Sequence, residues 1–199
     1  MSSLAEYYKS LNIYTFEGHT QECKPETEFL KNIVDNNEIK NVMEIGFNGG
    51  HSAETFLFSN KNINLTSFDI GEKSYLKHGK LFIDKTYPNK HELIIGDSVI
   101  TVPEFYKNND KKFDIIFIDG GHEYDIAYAD ILNCKNLAHQ KTVVILDDTI
   151  DDAKLMNVWN RGPTKAWNDA KNNNIIKQIG SIDFCRGRGL SWGNYVFNI

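Results

Sequence analysis

The sequence predicts a doubly wound α/β domain, a twisted parallel sheet with helices on both faces. Two observations carry this reading. Apolar, β-branched runs recur at Asn41 to Ile45, Ile63 to Ile70, Glu92 to Ile95, Phe113 to Ile118 and Thr142 to Leu146, each nearly continuous in apolar character. Strands look this way when both of their faces are covered. Between the runs lie stretches long enough for helices, and strict alternation of strand and helix builds right-handed βαβ units.

Taken in order, Lys24 to Asn36 opens the pattern, with Pro25 near a helix start and Phe29, Leu30, Ile33 and Val34 at helical spacing. It should pack on the sheet. Helices are predicted at Ser52 to Asn60, Lys73 to Lys85, Val102 to Asn108 and Tyr124 to Leu137. The tail differs: Ile175 to Cys185 and Leu190 to Phe197 are strand-like and separated only by Arg186-Gly187-Arg188-Gly189, which reads as a hairpin. A chain of 199 residues suits one core. Residues 1–199 are therefore expected to form a single domain, with 1–40 as a helical, lid-like segment ahead of the core at 41–199.

Composition narrows the function classes. Apolar residues at 41% and charged residues at 25% are the balance of a globular protein, not a fibrous or disordered one. The N-terminus lacks a basic region followed by an apolar stretch, and no apolar run approaches the roughly 18 residues of a membrane span. A cytoplasmic protein with no membrane partner is expected. Cys23, Cys134 and Cys185 are widely spaced and odd in number, which offers neither a disulfide framework nor a CxxC metal knot. A net charge of −5, with basic residues scattered except at Arg186-Gly187-Arg188, disfavours bulk nucleic-acid binding.

Five segments carry chemistry. In the first, a strand ends Glu44-Ile45-Gly46 and is followed by Phe47-Asn48-Gly49-Gly50 and a helix start at His51-Ser52. Glycines after a strand let backbone approach a ligand, and the next helix presents free N–H groups to it. The spacing Gly46-x-x-Gly49-Gly50 is not the G-x-G-x-x-G of a dinucleotide site. Glu44 stands where a carboxylate would face the amino acid part of a cationic ligand, which favours a sulfonium cofactor; the plain alternative is a glycine turn. Second, Asp69 before Ile70 ends the second strand, where a carboxylate can accept ribose hydroxyls. Third, Gly96-Asp97-Ser98 follows the third strand, with Asp97 placed to accept from an adenine amino group. Either acid can instead be a helix cap.

Fourth, Asp119-Gly120-Gly121-His122 places ionisable groups at the strand ends where α/β sheets bind ligands. Fifth, Asp147-Asp148 ends the fifth run. If the fourth and fifth strands are neighbours, Asp119, Asp147 and Asp148 crowd together and raise one another's pKa unless a cation shares them. Hard oxygen ligands suit Mg²⁺ or Ca²⁺; the alternative for Asp147 or Asp148 is a cap.

Together these segments resemble class I S-adenosylmethionine-dependent methyltransferases, and most nearly the small O-methyltransferase-like group, over roughly Glu26 to Trp167. The resemblance implies a Rossmann-like sheet of seven strands in the order 3-2-1-4-5-7-6 with the last antiparallel. It implies a cofactor site at Glu44, Gly46, Phe47, Asn48, Gly49, His51, Ser52, Asp69, Ile70, Gly96, Asp97, Ser98 and Asp119, with Glu44, Gly46 and Gly49 on the methionine part, Asp69 on the ribose, and Asp97 with Ser98 on the adenine. In relatives similar to catechol O-methyltransferase, the metal ligands fall on Asp119, Asp147 and Asp148. The lysine base of those relatives falls on His122, a departure that still leaves an imidazole base.

The expected catalytic pair is thus His122 and Asp119, with S-adenosylmethionine as methyl donor, Mg²⁺ or another divalent ion as helper, and a small-molecule or sugar hydroxyl as acceptor. Acceptor contacts are expected from Phe16 to Thr20 and from a loop at Asn160 to Trp167, the alternative being Arg161 as a surface charge and Trp167 as a core aromatic. Assembly as a homodimer is a further expectation. Competing readings are metal-independent transfer with His122 as base, a nucleotide-binding oxidoreductase, and a noncatalytic binding module on the same fold.

Overall fold

The computed structural model describes residues 3–197. Seven strands form one sheet in the order β3-β2-β1-β4-β5-β7-β6. They are β1 (Asn41–Ile45), β2 (Asn64–Asp69), β3 (His91–Ile95), β4 (Phe113–Ile118), β5 (Ala138–Asp147), β6 (Ile176–Asp183) and β7 (Gly189–Tyr195). The first five run parallel, and β7 is antiparallel to both β5 and β6. This is the predicted order, and the C-terminal hairpin supplies the reversed strand.

Helices α1 (Leu4–Ser10), α2 (Lys24–Val34), α3 (His51–Ser59) and α4 (Leu76–Thr86) precede β3, and α5 (Ser98–Asn108), α6 (Tyr124–Lys135) and α7 (Arg161–Asn172) follow it. Strand residues alternate between two cores. Val42, Ile115, Phe117 and Ile145 join one with Leu30, Phe56 and Ile83; Met43, Ile116, Ile118 and Val144 join the other with Val102, Ile131 and Trp167. Both faces being covered explains why the strands are apolar at consecutive positions. Because β1 lies between β2 and β4, successive crossovers leave it on opposite sides, and a crevice opens at the carboxyl ends of β1 and β4.

The structure departs from the sequence reading at α7. The expected loop at Asn160 to Trp167 is the N-terminal part of a helix from Arg161 to Asn172. Its Pro163, Ala166, Trp167 and Ala170 are buried at helical spacing. Trp167 is 2% exposed and donates from Nε1 to Gln178 Oε1 at 2.8 Å, so it is a core residue and not an acceptor contact. Strand β5 also begins at Ala138, earlier than expected, where its polar residues 139–141 precede the apolar run. No helix among the described residues is long and apolar enough to cross a membrane.

Candidate active site

The crevice holds a cavity of about 720 Å³. Its geometry starts at the turn after β1. Gly46 has φ 95°, and its N–H donates to Phe68 O at 2.8 Å. A Cβ at this position would lie 1.8 Å from the backbone oxygen of Asp119, so only glycine lets the β1 and β4 ends approach this closely. The loop then bends through Asn48, whose N–H donates to Asp69 Oδ2 at 2.7 Å. Asp69 Oδ1 accepts from the Gly71 N–H at 2.7 Å, which fixes the carboxylate at the cavity wall.

Of the expected cofactor residues, Gly46, Asn48, Asp69, Ile70, Gly96, Asp97, Ser98 and Asp119 line the cavity. Asp97 also caps α5, accepting from the Val99 N–H at 3.0 Å. The others stand behind the wall, each for a packing reason. Glu44 is fully buried, accepting from Ser67 Oγ and Ser52 Oγ, both at 2.7 Å. Burial pushes its pKa up and the two hydroxyls pull it back, leaving it at about 7. Ser52 is spent on Glu44, Phe47 stacks on His91 at 5.0 Å, and the Gly49 carbonyl accepts from Tyr8 Oη at 2.8 Å. His51 stacks on His19 at 3.7 Å between ring centres. Burial lowers the pKa of both imidazoles, that of His51 to about 3.

The segment between α1 and α2 crosses the cavity mouth. Glu17, Gly18 and His19 line the wall, whereas Thr20 is buried and Phe16 packs on His51 and Tyr75. The segment is tied down by Asn48 Nδ2 donating to Gly18 O at 3.0 Å, by the Glu17 N–H donating to Tyr75 Oη at 3.3 Å, and by a 2.7 Å ion pair between Lys73 and Glu17.

The opposite half is built by the ends of β4 and β5. Asp119, His122, Asp147 and Asp148 all line the cavity. His122 Nε2 lies 2.9 Å from Asp148 Oδ2, and the donor atoms of Asp119, His122 and Asp148 all fall within 4.8 Å of one another. Asp147 is not in that set, and its Oδ1 accepts from the Asp148 N–H at 2.8 Å. Asp148 adopts φ 58°, a left-handed conformation that Asp tolerates better than most residues and that concentrates at functional sites. The loop carrying His122 is clamped by α7: a Cβ on Gly162 would lie 2.1 Å from the His122 carbonyl oxygen.

Electrostatically this half is strained. Burial, then Asp148 and Glu26, push the Asp119 carboxyl up to about 8. Burial, then Glu26, Asp148 and Asp119, raise Asp147 well above the usual carboxylate range. The Asp148 carboxylate raises His122. Two contributors were not singled out from the sequence. Glu26, fully buried on α2, accepts from Arg188 Nε at 2.7 Å and from Nη2 at 3.2 Å, and Arg188 from the hairpin lines the cavity. In the sequence Arg188 is part of the basic Arg186-Gly187-Arg188 cluster, and a charged residue in a tight hairpin turn is the signal it offers.

Three solved structures share this architecture. A provisionally assigned caffeoyl-CoA O-methyltransferase from Staphylococcus aureus is 18% identical, with TM-score 0.72 over 98% of this chain and 93% of that one. The O-methyltransferase from Bacillus cereus in complex with S-adenosylhomocysteine is 14% identical, with TM-score 0.76 over 96% and 90%. The O-methyltransferase TomG from Streptomyces achromogenes, involved in tomaymycin synthesis and bound to S-adenosylmethionine, is 14% identical, with TM-score 0.71 over 98% and 88%. No curated protein sequence matches significantly. The fold is thus that of the S-adenosylmethionine-dependent methyltransferases. Residues 43–149 match the profile of the methyltransferase domain family, more than half of the chain, and the chain belongs to that family.

Proposed function

We propose that this methyltransferase methylates a hydroxyl oxygen of a small-molecule or sugar acceptor, with a divalent cation held at Asp119 and Asp148 and with Asp147 beside them. The observation that carries this reading is the convergence of Asp119, His122 and Asp148 donor atoms within 4.8 Å, at the cavity end where Asp119 is pushed up to about 8. Such a donor set fits a hard divalent ion, because bound charge relieves carboxylate repulsion.

S-adenosylmethionine supplies a methyl carbon that forms a bond to the acceptor oxygen as its bond to sulfur breaks, leaving S-adenosylhomocysteine. A divalent ion, when bound, lowers the pKa of the acceptor hydroxyl. The chain's residues do the rest. Asp69 and the Gly46 to Asn48 backbone orient the donor, and the Glu17 to His19 segment keeps water out of the mouth. His122 takes the hydroxyl proton on its imidazole, with Asp148 Oδ2, 2.9 Å from Nε2, fixing the ring. Placement of the two reactants in line contributes most, since the sulfonium methyl is already activated.

The 2.9 Å pairing of His122 with Asp148 favours a second reading, in which this pair alone serves as base and no ion is needed. Transfer of labelled methyl into acceptor pools, measured with and without EDTA and in Asp148→Ala, separates the two. Loss of transfer on chelation with restoration by Mg²⁺ supports the ion. Transfer that survives both treatments ends the metal reading and keeps the methyltransferase. A protein that fails to bind S-adenosylhomocysteine contradicts the cofactor site itself.

A further inference from the structure

We infer that the acceptor is a hydroxylated ring compound that is neutral or carries an amine, and that phosphorylated, carboxylated and CoA-linked acceptors are excluded. This rests on the methyltransferase reading above and names its acceptor class.

The charge on the cavity wall is lopsided. Among the described residues lining it, six acids stand besides the proton-holding Asp119 and Asp147, and only Lys73 and Arg188 are permanent cations. Neither cation is free for a ligand. Lys73 is paired with Glu17 at 2.7 Å, and Arg188 is held by Glu26 at 2.7 Å with Glu22 at 3.9 Å. A phosphate or carboxylate needs an unpaired cation to replace its lost hydration, and the α6 N-terminus that reaches this wall carries an acid, Glu123, at its cap position. A divalent ion at Asp119 and Asp148 offsets only the acids next to it. Glu123, exposed beside His122, keeps that end negative. A low-dielectric cleft lined by one sign of charge focuses its field and repels ligands of that sign.

A second, independent feature points to a ring. Trp159 lies in the same wall, partly exposed, with its ring centre 6.2 Å from that of His122 and tilted by 46°. The indole offers a stacking face next to the imidazole that would receive the acceptor proton. Such a face accommodates the apolar side of a sugar or an aryl ring, and it attracts a cation placed over it.

The test uses the full-length protein and S-adenosylmethionine labelled in the methyl group. Pools of phenols, sugars and amino sugars are offered beside their carboxylated, phosphorylated or CoA-linked counterparts, and S-adenosylhomocysteine binding is measured by calorimetry on the same preparation. The expected result is label in the neutral or amine-bearing pools, with kcat/KM at least about tenfold above the anionic counterparts, a ratio that narrows as salt rises. Glu123→Lys is expected to shift that ratio toward the anionic member by roughly fivefold, because one wall charge changes sign. Preferential label in an anionic pool overturns the inference. So does the absence of label from every pool by a protein that binds S-adenosylhomocysteine. Failure to bind S-adenosylhomocysteine overturns the underlying cofactor reading instead. Replacement of Trp159 by Leu is expected to raise KM for ring acceptors more than it lowers kcat, and an unchanged KM removes the stacking surface from the account.

Discussion

The two halves of the cavity solve their electrostatics differently. At the ends of β1 to β3 each acid is satisfied by fixed neighbours: Asp69 by the Asn48 and Gly71 N–H groups, Asp97 by the Val99 N–H, Glu44 by two serine hydroxyls. At the ends of β4 and β5, Asp119, Asp147 and Asp148 crowd with Glu26 around a single arginine and one imidazole, and Asp119 and Asp147 hold their protons far above the ordinary range. A half-site wired by backbone amides is ready to bind its ligand. A half-site with excess carboxylates is complete only when a proton or a cation joins it. Donor binding and acceptor activation should therefore be separable by mutation.

The strongest way to sharpen that contrast is Asp119→Ala. Methyl transfer is expected to fall by roughly 10²–10⁴-fold, the usual worth of a lost proton-handling or charge-stabilising group, while calorimetry finds S-adenosylhomocysteine affinity changed by less than about tenfold. Comparable losses in both would merge the two halves. Next in size is Gly46→Val, which forces a side chain where a Cβ already meets Asp119 O at 1.8 Å. Thermal melting should drop by roughly 10 °C, the shift that about 3 kcal/mol produces in a chain of this length, with cofactor binding lost.

Asp69→Ala should act on the donor half alone. Losing a charged acceptor of hydrogen bonds costs about 1.5–3 kcal/mol, so the Kd for S-adenosylmethionine should rise roughly 10- to 100-fold with little change in kcat at saturating donor.

The smallest expected effect concerns Glu44, whose pKa is raised from 4.5 to about 7 in the folded chain. The native state then binds a proton more tightly than the unfolded chain, so this group's contribution to stability is full below about pH 4.5 and is lost as pH rises through 7. Denaturant unfolding should show the wild type losing on the order of 2 kcal/mol relative to Glu44→Gln between pH 5 and pH 8. A constant difference across that range would mean that the serine hydroxyls outweigh burial.

Much of this was legible in the sequence because it rests on local pattern. Runs such as Phe113 to Ile118 are buried on alternate sides in two cores, which is why their apolar character is unbroken and their identity as interior strands plain. The acids at strand ends were legible too, since topology alone brings Asp119 and Asp148 together. Sequence could not say which side chains face the cavity. The sequence places Glu44 and Ser52 among the ligand contacts, whereas in the structure Ser52 Oγ donates to Glu44 beneath a loop bent by positive φ at Gly46, Asn48 and Gly50. The partnership of Glu26 with Arg188 spans 162 positions and leaves no periodic trace.

Two helices carry local signals in the sequence. For α7, the spacing of Pro163, Ala166, Trp167 and Ala170 was helical, but Gly162 and the polar residues between them resembled a loop. For α1, Ser3 and Glu6 form a capping box, with the Ser3 side chain accepting from the Glu6 N–H at 3.2 Å and Glu6 Oε2 accepting from the Ser3 N–H at 3.0 Å.

The most direct test of an acceptor half completed by a cation is calorimetric titration of Mg²⁺ into the S-adenosylhomocysteine complex at two pH values, in buffers of different ionisation enthalpy. The expected result is saturable binding that tightens from pH 6.5 to pH 8, releases protons from the crowded acids, and vanishes in Asp119→Ala. Absence of binding at both pH values, in a protein that still transfers methyl groups, would contradict the account.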